Sequence, residues 1–214
     1  MIELQSEVLA TARAMNACGI NRGAAGNVSA RCAGGLLITP TGMAYDDCLP
    51  DDIVKVDAGG TAQGRRKPSS EWRFHRDIYG AQPEAGAIVH THSPFATSLA
   101  CQEIEIPAFH YMIARFGGDT LRCASYATFG TQALSDAILV ALKDRRACLM
   151  AHHGMVVFGG DLKEALALAV ELESLCEQYW RVLQLGTPQL LDPEEMARVI
   201  EKFKDYGRQA ISET

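Results

Sequence analysis

Two histidines, His90 and His92, stand two positions apart at the end of the apolar run Ala87-Ile88-Val89. A strand directs alternate side chains to one side, so both imidazoles share a face. A second pair, His152-His153, follows directly on the apolar run Ala147 to Met150, so another strand end can add a third imidazole. Three histidines with an open fourth position form a catalytic zinc arrangement. His-x-His alone also describes two satisfied core histidines, and the third histidine at a second strand end is what tips the reading toward a metal. Adjacent side chains diverge, so spacing does not choose between His152 and His153.

A metal that polarises a carbonyl still needs a base to move a proton. Glu71 is the candidate, although an acid at the start of a helix also serves simply to offset the macrodipole. His75, one turn later, reads as a neighbour on the helix face, and His110 has no partner at ligand-like spacing. Three loop stretches, Gly26-Asn27, Thr41-Gly42 and Ser69-Ser70, combine small residues with hydroxyl or amide donors. Ordinary turns and an N-cap use the same residues, but such loops can cradle a phosphate without Lys or Arg. Neither a P-loop nor a Gly-x-Gly-x-x-Gly pattern occurs, which leaves nucleotide chemistry without support.

The elements that must position these groups follow from periodicity and breakers. Apolar residues near a 3.6 period predict a helix from Leu4 to Cys18, stopped by Gly19. Short β-like pieces, Val28 to Arg31, Leu36 to Thr39 and Ile53 to Val56, are separated by Gly and Pro turns and read as hairpins. Beyond Pro68 the chain alternates: a helix over Glu71 to Tyr79, a strand over Ala87 to Thr91 and a helix opened by Pro94 through Ala100. There follow a helix from Thr131 to Leu142 and strands at Ala147 to Met150 and Met155 to Phe158. The longest helix spans Leu162 to Leu185, and a last one begins after Asp192-Pro193 and runs to about Phe203.

With 214 residues, 48% hydrophobic and 21% charged, the chain reads as one domain, 1–214, with material for a sizeable core. A net charge of -6 and a pI near 5.5 argue against nucleic-acid backbone binding, which needs clustered Lys and Arg. Seven scattered cysteines without a Cys-x-x-Cys pair indicate reduced thiols. The N-terminus lacks a basic region followed by an apolar run, and no stretch approaches the roughly 18 apolar residues of a membrane span. The expectation is a soluble, cytoplasmic protein.

Taken in order, seven stretches resemble the class II aldolase/adducin family over nearly the whole chain. They are Gly26-Asn27-Val28-Ser29, Thr39-Pro40-Thr41-Gly42, Pro68 to His75, Val89-His90-Thr91-His92, Ile106 to Ala114, Ser125 to Thr131 and His152-His153-Gly154. The resemblance implies an α/β fold of three layers, α/β/α, whose central, largely antiparallel sheet is covered by helices. It further implies one Zn2+ per subunit on His90, His92 and His153, with Glu71 as the acid/base residue beside it. A phosphate pocket of Asn27, Thr41, Gly42, Ser69 and Ser70 follows by the same resemblance. Tyr111 resembles a tyrosine that reaches a neighbouring subunit's site in a cyclic homotetramer and handles the proton on the aldehyde oxygen. Tyr206 resembles a C-terminal tyrosine that closes the pocket.

The activity implied is reversible cleavage of L-fuculose 1-phosphate, or a close ketose 1-phosphate, to dihydroxyacetone phosphate and L-lactaldehyde. Related chemistries on the same scaffold are the alternatives: 5-deoxyribulose-1-phosphate cleavage, methylthioribulose-1-phosphate dehydration and pentulose-phosphate 4-epimerisation. A non-catalytic, adducin-like assembly role is disfavoured, because the candidate ligands His90, His92 and His153 and the acid Glu71 are all present.

Overall fold

In the computed structural model, residues 2–204 are described. Among them eight strands form one sheet: β1 (Asn27–Cys32), β2 (Gly35–Ile38), β3 (Val54–Asp57), β4 (Ala62–Gln63), β5 (Ala87–Thr91), β6 (Cys123–Ala124), β7 (Ala147–Met150) and β8 (Gly154–Gly159). Their spatial order is β4-β3-β2-β1-β5-β8-β7-β6. Every neighbouring pair is antiparallel except β6 with β7. The largely antiparallel sheet implied by the resemblance is therefore what the chain forms.

Alternation along the strands sorts side chains into two core layers. Val89, Leu149, Met155 and Val157 face one side, where α1 (Ile2–Ala17) and α5 (Leu162–Leu185) bring Val8, Met15, Leu168 and Leu172. Ile88, Cys148, Val156 and Phe158 face the other, where α2 (Trp72–Ala81) and α4 (Gln132–Ala141) bring Phe74, Ile78, Leu134 and Ile138. Both layers are dry enough to dominate folding, since each fully buried Leu, Ile or Val contributes about 1.5–3 kcal/mol. The first layer is completed by α3 (Pro94–Ala100) and α6 (Pro193–Phe203), with a 3-10 turn over Tyr111–Phe116.

Helix starts follow side-chain chemistry. Asp192 accepts from the Glu195 amide at 2.7 Å with Pro193 in the first turn, and Asp161 accepts from the Glu164 amide at 2.7 Å. Two boundaries differ from the sequence expectation in ways that matter for function. Strand β1 begins one residue early, which puts Asn27 directly opposite His90 in the ladder. Helix α2 begins at Trp72, leaving Glu71 as the residue before it at φ -100° and ψ 9°, a sparsely populated conformation often used at functional sites. The two-residue edge strands β4 and β6 have no sequence signal, because two residues carry no periodicity.

The connection into this region is clamped by Asp52. Its carboxylate accepts from the Leu49 amide at 2.8 Å and from Arg65 and Arg66 Nε at 2.8 and 2.7 Å, while its own side chain is 1% exposed. The Leu49 hydrogen bond, opposed by burial and supported by the two arginines, holds the carboxyl well below the usual carboxylate range. Its stabilisation is therefore complete above the unfolded value of about 3.9 and is lost as pH falls below that value. Asp52→Asn is expected to lower unfolding free energy by about 1–2 kcal/mol at neutral pH, discounted for the half-exposed arginines. Denaturant melts of the two proteins should converge as pH drops below about 4, and a pH-independent gap would contradict this role.

Candidate metal centre and active site

Strand β5 carries His90 on the same face as Ile88, toward α2, and His92 continues that face just beyond the strand end. Strands β7 and β8 then bring in the third imidazole. Between β7 and β8 the chain turns over three residues, with the His153 amide donating to the Met150 carbonyl at 3.0 Å. His152 occupies the left-handed region at φ 53°, which turns its side chain away to solvent beside Glu103, 3.3 Å from its carboxylate. His153, and not His152, points to the cluster. Gly154 is required by close approach, because a Cβ there would lie 2.3 Å from the Thr91 carbonyl oxygen.

Glu71, His90, His92 and His153 each offer one ligand atom, all within 4.8 Å of one another. His90 Nε2 lies 3.1 Å from Glu71 Oε2 and 3.0 Å from His92 Nε2, and His153 Nε2 lies 3.2 Å from Glu71 Oε1. His90 Nδ1 donates to the Met155 carbonyl at 2.8 Å, an outer contact that turns Nε2 inward and fixes the ring. One proton can join only two of these inward atoms, and the buried Glu71 Oε1 is left without a hydrogen bond. A divalent cation held by the three imidazole nitrogens, with the carboxylate beside it, removes this conflict, so the residues fit a metal. Imidazole ligands are compatible with zinc among the common divalent ions.

The protein's own charges are arranged to the same end. Burial opposes ionisation of Glu71, but His90, His153 and Asn27 more than offset it and hold the carboxyl down to about 2. Burial and the neighbouring His90 push His92 and His153 down to about 4, so both present neutral imidazoles at neutral pH. For His90, burial works against the imidazolium and the Glu71 carboxylate prevails, raising it. Ligation of a metal requires the neutral form of this ring, with Nε2 bare.

A small cavity of about 280 Å³ opens beside the cluster and is lined by Ser70, Glu71, His92, Tyr126, Phe129, His152 and His153. Around it the expected anion loops are zipped together: Pro40 pairs with Pro68, the Thr41 amide donates to the Lys67 carbonyl at 3.1 Å, and the Ser69 amide to the Thr39 carbonyl at 2.9 Å. Thr41, Gly42 and Ser70 remain exposed. Asn27 and Ser69 are buried, and their side chains are engaged internally. Asn27 Nδ2 donates to Ser69 Oγ and Glu71 Oε2, each at 3.0 Å, and the Glu71 amide donates to Ser69 Oγ at 3.3 Å. These two side chains therefore brace Glu71, a role their loop chemistry did not suggest.

Tyr111 is not part of this cluster. It is half exposed, stacks on His110, and lines a groove with Phe109, Met112, Leu191 and Phe203 against α6. Tyr206 lies outside the described residues. His75 stays on the face of α2 and outside the ligand group, as its spacing implies, but it is fully buried and bonded to Asn27 and Ser29. Its signal is the four-residue spacing of Glu71, His75 and Tyr79, which places His75 and Tyr79 on one stripe of α2 below Glu71.

Residues 6–180 match the family described as Class II Aldolase and Adducin N-terminal domain. A 5-methylthioribulose-1-phosphate/5-deoxyribulose-1-phosphate aldolase from Rhodospirillum rubrum is 54% identical over 209 residues, 98% of this chain and 95% of that protein. An L-fuculose phosphate aldolase from Escherichia coli is 44% identical over 206 residues, covering 96% of each. Among solved structures, an L-fuculose 1-phosphate aldolase superposes with a TM-score of 0.91 at 35% identity, over 94% of this chain and 96% of that one. Family, fold and an assembled carboxylate-imidazole cluster agree: the chain is a lyase-type member of the class II aldolase and adducin family.

Proposed function

We propose that the protein is a zinc-dependent aldolase that cleaves a ketose 1-phosphate between C3 and C4, releasing dihydroxyacetone phosphate and a short aldehyde. The observation that carries this reading is the convergence of His90, His92 and His153 on the carboxylate of Glu71. His90, His92 and His153 would hold the zinc, which would supply electrophilic stabilisation of the negative charge that develops on the dihydroxyacetone phosphate half. Glu71 holds and returns the proton at C3 of that half. The loops of Asn27, Thr41, Gly42, Ser69 and Ser70 hold the phosphate; Thr41 and Ser70 offer exposed hydroxyls, and Asn27 and Ser69 keep Glu71 in register with it. We take the chain, 1–214, as one domain, because among the described residues both core layers share the single sheet. A cytoplasmic setting accords with seven unpaired cysteines and with the lack, among the described residues, of a helix long and apolar enough to cross a membrane.

The aldehyde half follows from similarity and from the cavity rim. The relative at 54% identity is named for 5-methylthio- and 5-deoxyribulose 1-phosphates, and that at 44% for L-fuculose phosphate. Tyr126 and Phe129, 62% and 65% exposed at the mouth, suit an apolar tail better than a hydroxylated one. We therefore place 5-deoxy- or 5-methylthioribulose 1-phosphate first and L-fuculose 1-phosphate second. Comparing kcat/KM for the three ketose 1-phosphates tests this: a 5-substituted ribulose phosphate leads. A clear lead for L-fuculose 1-phosphate would reverse the order.

Tyr111 works across a subunit boundary of a cyclic homotetramer, where it transfers the proton of the C4 oxygen. Within one chain it lines a groove that none of the cluster residues shares, and this supports a shared site. When Glu71→Gln and Tyr111→Phe chains are co-expressed in equal amounts, about one site in four receives both intact groups by random mixing. Activity of verified mixed oligomers near a quarter of wild type supports the shared site, and background activity contradicts it.

A further inference from the structure

Glu71 ends a buried line of polar groups that the metal cluster does not use. On one side Glu71, just ahead of α2, and His75 and Tyr79 on it recur every four residues; on the other, Asn27 and Ser29 alternate along β1. Helix period and strand period bring the two stripes face to face. Asn27 Nδ2 donates to Glu71 Oε2 at 3.0 Å, and Asn27 Oδ1 lies 2.5 Å from His75 Nε2. His75 Nδ1 lies 2.7 Å from Ser29 Oγ, which lies 2.8 Å from the Tyr79 hydroxyl. His75 and Ser29 have no exposed surface, and Asn27 and Tyr79 are buried.

The direction of every hydrogen bond follows from one end. A carboxylate only accepts, so the amide nitrogen of Asn27 faces Glu71 and its oxygen faces His75. His75 must then carry its proton on Nε2. Burial keeps the ring neutral, pushing it down to about 3, so Nδ1 is a bare acceptor and the Ser29 hydroxyl donates to it. Ser29 has no second proton, so Tyr79 donates to Ser29 Oγ. All the protons point toward Glu71. Removing the His75 donor would strand the buried Asn27 oxygen and leave the amide held only through its nitrogen, by Glu71 and Ser69, so the brace on Glu71 would loosen.

We propose that His75 is a positioning residue: through the Asn27 amide it ties down Glu71 Oε2 and leaves Oε1 as the oxygen free for proton transfer. The proposal rests on the reading of Glu71 as the proton-transfer group. Nitrogen NMR of the histidine rings in the full zinc-loaded protein reads the wiring without any activity. His75 protonated on Nε2 is expected, and an Nδ1-protonated ring overturns the proposal.

The functional arm follows solvent exchange of the C3 hydrogens of dihydroxyacetone phosphate, without aldehyde, in wild type, His75→Leu, His75→Gln, Asn27→Ala and the His75→Leu/Asn27→Ala double variant. His75→Leu is expected to lower kcat about 10- to 100-fold at unchanged zinc content. KM should stay within about twofold, because phosphate binding is not what His75 controls. His75→Gln, which can still donate to Asn27, restores most of the loss. In the Asn27→Ala background His75→Leu adds less than about twofold, since its effect travels through the amide. Unchanged exchange in His75→Leu, or an equal further loss in the Asn27→Ala background, overturns the proposal. If His75→Leu does not fold, His75→Gln and the tautomer decide. A wild type with the Nε2 proton but no exchange contradicts the functional reading and leaves the wiring supported; an exchanging wild type with the Nδ1 proton does the reverse.

Discussion

Exhaustive removal of metal should abolish turnover while leaving helical circular dichroism and cooperative unfolding largely intact. The fold does not depend on the cluster, because two apolar layers pack on both faces of the sheet and the ligands sit at strand ends. Chemistry does depend on it, since no other group in the cavity can take up the charge that appears when the carbon-carbon bond breaks. Added zinc should restore activity. His90→Ala should mimic chelation, with a loss of about 10³-fold or more expected when the electrophile is displaced. His110→Ala, at the start of the 3-10 turn and outside the ligand group, should have a much smaller effect on zinc content. Full turnover in verified metal-free protein, measured with bound metal quantified by mass spectrometry, would contradict the mechanism.

Glu71→Gln should retain zinc and phosphate affinity yet lower turnover by about 10² or more. Glutamine preserves the shape of a side chain that is 5% exposed and braced by Asn27, but it cannot accept a proton. The alternative role, an acid offsetting the dipole of α2, predicts something else. Loss of a first-turn charge costs only about 0.3–1 kcal/mol of stability and leaves chemistry untouched. Steady-state kinetics beside thermal melts separate the two: near wild-type turnover with a small loss of stability would make Glu71 a capping residue.

How much of this was legible in the sequence depended on how local each feature is. His90 and His92 were readable because alternation along a strand is a property of five residues. Spacing did not choose His153 over His152, because that turns on the left-handed conformation of His152 in a three-residue turn; only the family resemblance favoured His153. The anion loops were readable as loops, yet the engagement of Asn27 and Ser69 with Glu71 was not, since partner choice is made by the register of β1 against β5. His75 shows the same limit. Its spacing from Glu71 and Tyr79 is plain, but its meaning appears only once Asn27 and Ser29 are known to face it. Long helices such as α5 matched their expected bounds, because many turns of consistent periodicity and an Asp161 cap agree.

The central claim is metal-dependent carbon-carbon cleavage, and product identity tests it most directly. Zinc-loaded protein should be incubated with 5-deoxyribulose 1-phosphate, and the products followed by carbon NMR with an enzymatic assay for dihydroxyacetone phosphate. The account predicts equimolar dihydroxyacetone phosphate and acetaldehyde, formed only when metal is present and reversed by adding both products together. If neither this substrate nor 5-methylthioribulose or L-fuculose 1-phosphate yielded dihydroxyacetone phosphate, and dehydrated or epimerised sugar phosphate accumulated instead, the account would be contradicted.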